Sequence, residues 1–147
     1  GRIDVRPGEN VIYITTRVPS PKVSRYIPRF APNLRRADGT VPPVDVIHLH
    51  HAVWLSGSRR DVTAPQITAE RLFAAGEEKT ILSFPKGYGY YNDASRRWLL
   101  NYMVHNQTST RDKVWITWDV YYVPARSLRA RGRRVARVTL DRLTEVG

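Results

Sequence analysis

The chain contains no cysteine. Disulfide staples, thiolate metal sites and cysteine nucleophiles are therefore excluded, and any metal must be held by histidine, carboxylate, methionine or backbone oxygen. A cysteine-free chain tolerates either redox environment, so this absence leaves the compartment open. Methionine occurs once, at Met103. No apolar run approaches the roughly 20 residues that a bilayer-spanning helix needs. No signal-peptide pattern opens the chain at Gly1, although a leader cleaved before that residue would leave none. Acidic residues are scarce as well, with 13 Asp+Glu against 24 Lys+Arg and a net charge of +11.

What is present is a globular composition. Hydrophobic residues make up 41% and charged residues 25% of the 147 positions, which argues against disorder and for one domain, residues 1–147, with a core of its own. The basic excess is arginine-dominated and uneven. Arg126, Arg129, Arg131, Arg133, Arg134, Arg137 and Arg142 crowd the last segment against Asp141 and Glu145. Such a block suits an acidic polymer or surface, or a neighbouring domain. Nucleic acid is less expected, because the aromatics do not interleave with arginine in a recognised RNA-binding pattern.

The apolar periodicity is that of strands. Asn10–Val18 is rich in β-branched residues and stops at Pro19-Ser20-Pro21. Tyr26–Phe30 reads as a short edge strand, since Pro28 argues against the sheet centre. Residues 33–43 read as a turn-bearing loop leading to a strand over Val44–Leu55, and Ser56–Asp61 as a polar loop. Thr68–Ala75 fits a helical turn or a strand equally well. Further strands are expected over Lys79–Phe84, Arg97–Gln107, Lys113–Val123 and Arg134–Leu143. Thr108–Asp112 reads as a hairpin-like link, and residues 125–133 as an arginine-rich loop. In Lys113–Val123, Val114, Ile116, Trp118, Val120 and Tyr122 share one parity and Trp115, Thr117, Asp119 and Tyr121 the other, so one face is core and the other half-wet. Short strands at this spacing with almost no helical pattern predict an all-β antiparallel sandwich or jelly roll.

All four histidines fall in two of these strands: His48, His50 and His51 in one, His105 in the other. Neutral imidazole is the commonest protein ligand for copper and zinc, and pairing a cluster on one strand with a histidine from a distant strand is how a sheet builds such a site. In a regular strand His48 and His50 share a face and His51 points away; using His50 with His51 requires a bulge, a strand end or strong twist. Met103 lies two residues before His105, on its face, where it packs or offers a soft thioether to Cu(I). Tyr26, Tyr88, Tyr90, Tyr102 and Trp54 read either as an aromatic core or as a shield around the site. Zinc on three histidines with a general base from Asp45, Asp93 or Asp119 is a weaker option, because no motif supports those carboxylates. Asn106-Gln107-Thr108 fits a glycosylation sequon.

Four segments, in order, carry a resemblance: Tyr26–Pro32, Ile47–Leu55 with its His-His pair, the Pro85-Lys86-Gly87-Tyr88-Gly89-Tyr90 turn, and Leu100–His105. Over roughly Thr16–Val123 the chain resembles the N-terminal domain of the ascorbate-dependent type II copper monooxygenases, the family of peptidylglycine α-hydroxylating and dopamine β-monooxygenases. The resemblance implies a jelly roll with an electron-transfer copper on His50, His51 and His105, leaving His48 as an extra histidine that substitutes, assists or supports. It also implies an extracellular or cell-surface setting and a second domain as partner. In the family the oxygen-activating copper sits on that second domain. No histidine or methionine follows His105, so the resemblance implies metal binding without turnover by this chain alone. The alternative from the residues themselves is a non-enzymatic sandwich whose arginine-rich end docks on an acidic partner.

Overall fold

A computed structural model describes residues 2–57, 68–130 and 136–138. The strands are β1 (Ile3–Val5), β2 (Ile12–Val18), β3 (Arg25–Arg35), β4 (Ile47–Gly57), β5 (Ala69–Gly76), β6 (Leu82–Ser83), β7 (Tyr88–Asn92), β8 (Trp98–Asn106), β9 (Asp112–Pro124) and β10 (Ala136–Val138). The helix α1 (Ala125–Ala130) stands between the last two. One sheet runs β1-β9-β3-β7-β10, with β6 also on β3, and the other runs β2-β8-β4-β5. Apart from the parallel β7–β10 pair, all pairings are antiparallel. Each sheet interleaves early and late strands, the jelly-roll arrangement of two packed Greek keys.

The core lies between the sheets and is built around aromatics. Phe30 of β3 meets Trp54 of β4 at 5.0 Å, Phe73 of β5 at 4.8 Å and Trp98 of β8 at 6.1 Å between ring centroids. Burying each such side chain contributes about 1.5–3 kcal/mol. The parity read in β9 holds: Val114 and Ile116 are buried and Trp118 and Val120 pack on the core, while Tyr122 at the far end of the strand is exposed.

Several local expectations are corrected. The segment around Pro28 is a central strand, flanked by β9 on one side and by β7 and β6 on the other. The proline is accommodated because the β3–β9 ladder shifts register between Tyr26 and Arg29, so no ladder donor is demanded at Pro28. Thr108–Asp112 is not a hairpin link, since β8 and β9 belong to different sheets and the chain crosses between them there. Thr68–Ala75 resolves as strand, in β5. Lys79–Phe84 keeps only a two-residue strand, and the glycine-punctuated turn runs straight into β7. Ala125–Ala130, expected as loop, is helical. Ser58–Asp61 and most of the expected last strand lie outside the described residues. Among the described residues no helix is long and apolar enough to cross a membrane.

Buried polar groups tie the two sheets together at one end. The Arg25 guanidinium, 0% exposed, donates to the carbonyls of Pro21 (2.7 Å) and Val23 (2.6 Å) and to Asn92 Oδ1 (2.6 Å), and lies 5.4 Å over the Trp98 ring. Asn92 in turn accepts from Trp98 Nε1 (3.1 Å) and donates to Ser56 Oγ (3.1 Å). This network fixes β3, β4, β7 and β8, of which β4 and β8 carry the histidines.

Candidate metal centre

The decisive local feature is a β-bulge at His50. Leu49 pairs with Val104 and His51 with Met103, so consecutive residues on β8 face positions two apart on β4 and His50 is the extra residue. The phase of burial switches there. Ile47 and Leu49 are buried before the bulge, and Ala52, Trp54 and Ser56 after it. A regular strand would have aimed His51 into the core. The bulge instead keeps His51 on the face that carries His48, with His50 between them. His105 joins that face because it pairs directly with His48. Thus the simple parity reading, which separates His51 from its neighbours, fails for the stated physical reason.

The imidazoles form a row. Ring centroids are 5.7 Å apart for His51–His50, 6.3 Å for His50–His48 and 5.1 Å for His48–His105, the last pair edge-to-face at 83°. In this row His105 neighbours His48, while His51 neighbours His50, so His48 stands between His105 and the His50–His51 pair. The rings are not closed around one point. Among the described residues no group of three or more His, Asp or Glu side chains is placed to hold a metal ion. His50, exposed at the bulge, is the ring with most room to turn toward its neighbours.

Two of the rings are oriented by hydrogen bonds. His48, 7% exposed, has Nδ1 at 2.9 Å from the Val44 carbonyl and 3.1 Å from the Gln107 amide. A carbonyl only accepts, so Nδ1 carries the proton and Nε2 keeps its lone pair. The atom at that 3.1 Å contact is Gln107 Nε2, and because two N–H groups do not bond each other, the proton on Nδ1 is assigned from the Val44 carbonyl and requires the amide to be flipped. His51 Nε2 lies 3.1 Å from Asn101 Oδ1 and donates to it, which leaves Nδ1 as its open nitrogen. Such outer partners set the tautomer and angle of metal-binding histidines.

A carboxylate also reaches this row. Glu77 Oε2 lies 3.9 Å from His48 Nε2. Glu77 sits in the tight turn after β5, whose last residue, Gly76, pairs with His51. The turn is held by Lys79 N–H donating to the Gly76 carbonyl (3.0 Å) and by Glu78, which accepts from Gly76 N–H (2.9 Å) and the Thr80 hydroxyl (2.8 Å). Those bonds, the Gly76 one foremost, keep the Glu78 carboxyl below the usual carboxylate range. A Cβ on Gly76 would stand 2.6 Å from Glu78 Oε2 and 3.2 Å from the His50 carbonyl, so glycine is what lets the turn close on the bulge.

Other expected contributors lie elsewhere. Trp54 and Tyr90 are in the core, Tyr26 packs on Tyr91, Tyr102 on Tyr13, and Tyr88 is exposed, so the five form no shield around the histidines. Asp93 accepts from Ser95 and Ser24 far from the row, its carboxyl pulled down to about 2 chiefly by the Ser95 hydroxyl and N–H. Asp119 is on β9, in the other sheet, and Asp45 is exposed before β4. Met103 is 9% exposed, paired with His51 on one side and Ile12 on the other, on the histidine face. Asn106 of the sequon is fully buried and its Nδ2 donates to the Val5 (3.3 Å) and Thr110 (2.8 Å) carbonyls, which rules out a glycan on the folded chain.

Sequence reading missed Glu77, Asn101, Gln107 and the Val44 carbonyl, whose roles arise only from strand pairing. Comparison of the chain with family models, curated proteins and solved structures returns no match.

Proposed function

We propose that the histidine face of the β2-β8-β4-β5 sheet binds one copper ion through His50, His51 and His105, with His48 as a further ligand or support, and that the domain serves a two-domain, copper-monooxygenase-like parent as its electron-relay half. The observation that carries this reading is the bulge at His50, which gathers the three β4 imidazoles on the face of His105. Bound copper would supply a one-electron couple, and neutral imidazoles serve Cu(I) and Cu(II) alike. The chain's own part is to present imidazole nitrogens on one sheet face, two of them oriented by hydrogen bonds. The Val44 carbonyl fixes His48, Asn101 fixes His51, and the sandwich beneath keeps β4 and β8 in register. Zinc would occupy the same donors.

The test is anaerobic titration with Cu(I) against a competing chelator. Wild-type protein takes up one equivalent, and His105→Ala lowers the affinity at least tenfold. Unchanged affinity in that variant removes His105 from the site.

A second reading is an interaction module for an acidic partner. It is favoured by the opposite face of the molecule, where Arg29 lies 4.9 Å over the exposed Tyr121 ring. Of the C-terminal arginines, only Arg126 has a described side chain. Binding to an acidic polymer that weakens steeply with salt supports this reading, and salt-independent binding contradicts it.

A further inference from the structure

We infer that Glu77 is an oxygen ligand of the same cation as His48, which makes the site a mixed imidazole–carboxylate centre selective for divalent ions. The inference rests on the proposed metal-binding reading and goes beyond it, since neither the histidine pattern nor the resemblance points to a carboxylate.

Three observations converge. The first is distance. At 3.9 Å, Glu77 Oε2 and His48 Nε2 are too far apart for a hydrogen bond, which closes at about 2.7–3.2 Å. Yet an ion about 2 Å from each atom spans a gap of about 3–4 Å. The second is orientation. The His48 Nδ1–H is committed to Val44, so the nitrogen facing Glu77 is the one with a lone pair. The third is placement. Glu78 spends its carboxylate on the turn, bonding Gly76 N–H and Thr80, while its neighbour Glu77 makes no such bond and is directed to the histidine row. Gly76 permits this close approach of turn and bulge. Glu77 is 63% exposed, so its carboxylate is open to an arriving ion.

Ligand hardness gives the consequence. A carboxylate oxygen favours Cu(II), Co(II) and Zn(II), whereas Cu(I) gains little from it. The site would then hold the divalent ion more tightly than three imidazoles alone.

The experiment compares wild type, Glu77→Gln and His48→Ala with three probes: Cu(I), Cu(II) and Co(II), the last read by its visible d–d spectrum. Glu77→Gln is expected to weaken Cu(II) and Co(II) about tenfold, change the Co(II) spectrum and leave Cu(I) affinity within about threefold. Its copper potential rises by about 59 mV, the one-electron equivalent of tenfold. His48→Ala weakens all three ions. Near-UV circular dichroism checks folding, and Glu78→Gln serves as the control for turn damage without loss of the proposed ligand. Unaltered Cu(II) and Co(II) binding in Glu77→Gln overturns the inference while leaving the histidine site standing. Wild-type protein that takes up none of the three ions overturns both.

Discussion

His48 and His105 face each other directly across the β4–β8 ladder, ring centroids 5.1 Å apart and planes nearly perpendicular. These two strands come from opposite halves of the chain and are neighbours in the jelly roll, so the contact is made by folding and not by sequence proximity. His50 and His51 extend the same row because one extra residue rephases β4.

The bulge makes a clean prediction. Deleting His50 lets the pairing Leu49–Val104 run on to His51–Met103 without a shift, and leaves Ala52, Trp54 and Ser56 facing the core. The deletion variant should fold, because the remaining register is continuous, and bind copper more weakly. Urea unfolding and chelator competition check the two halves. An unfolded deletion variant would mean that the extra residue serves the fold and not the site.

Arg25 anchors the opposite end of the strands. Arg25→Ala leaves the buried Asn92 Oδ1 and the partly buried carbonyls of Pro21 and Val23 without this donor. A loss of about 2–4 kcal/mol is expected, read as a lower urea midpoint at unchanged slope. Arg25→Met restores volume but no donor, so it should recover only a minor part.

Asp93 shapes the acid limb of stability. Its carboxyl is held at about 2 against an ordinary 3.8 by bonds from Ser95 and Ser24. The stabilisation is fully present above pH 4 and fades as pH falls toward 2, where the folded state too takes up the proton. Asp93→Asn should therefore be less stable than wild type at pH 5 and converge with it near pH 2. A constant difference across that range would assign the cost to something other than ionisation.

At Gly76 a side chain meets the movable end of Glu78 first and the His50 carbonyl second. Gly76→Ala pushes the Glu78 carboxylate off the Gly76 N–H and crowds the His50 carbonyl. A loss of about 1–2 kcal/mol is expected, together with weaker Co(II) binding through displacement of Glu77. Stability loss with intact Co(II) binding would separate the turn from the site.

Much of the fold was legible from alternation alone. β9 announced its buried face through Val114 and Ile116, and β2, β4 and β8 through their β-branched and aromatic content. Pro28 misled because a proline's tolerance depends on whether a ladder bond is demanded at that residue, which only the register of β3 on β9 decides. The β8–β9 link misled because a short polar connection looks the same whether its strands pair or cross to different sheets. At the site, the residue types were legible and the arrangement was not. Parity placed His51 away from His48, and no local signal marks the bulge. Glu77 was invisible because nothing in Glu77-Glu78 says which carboxylate the turn will use and which it will present to β4.

The most direct test of the account is X-ray absorption at the copper edge on protein loaded anaerobically with one equivalent of Cu(I), in wild type and His105→Ala. The account predicts a shell of imidazole nitrogens at about 2 Å drawn from both strands, with one fewer imidazole in the variant. Failure to take up stoichiometric copper, or a wild-type nitrogen shell unchanged by loss of His105, would contradict the claim that β4 and β8 share one ion.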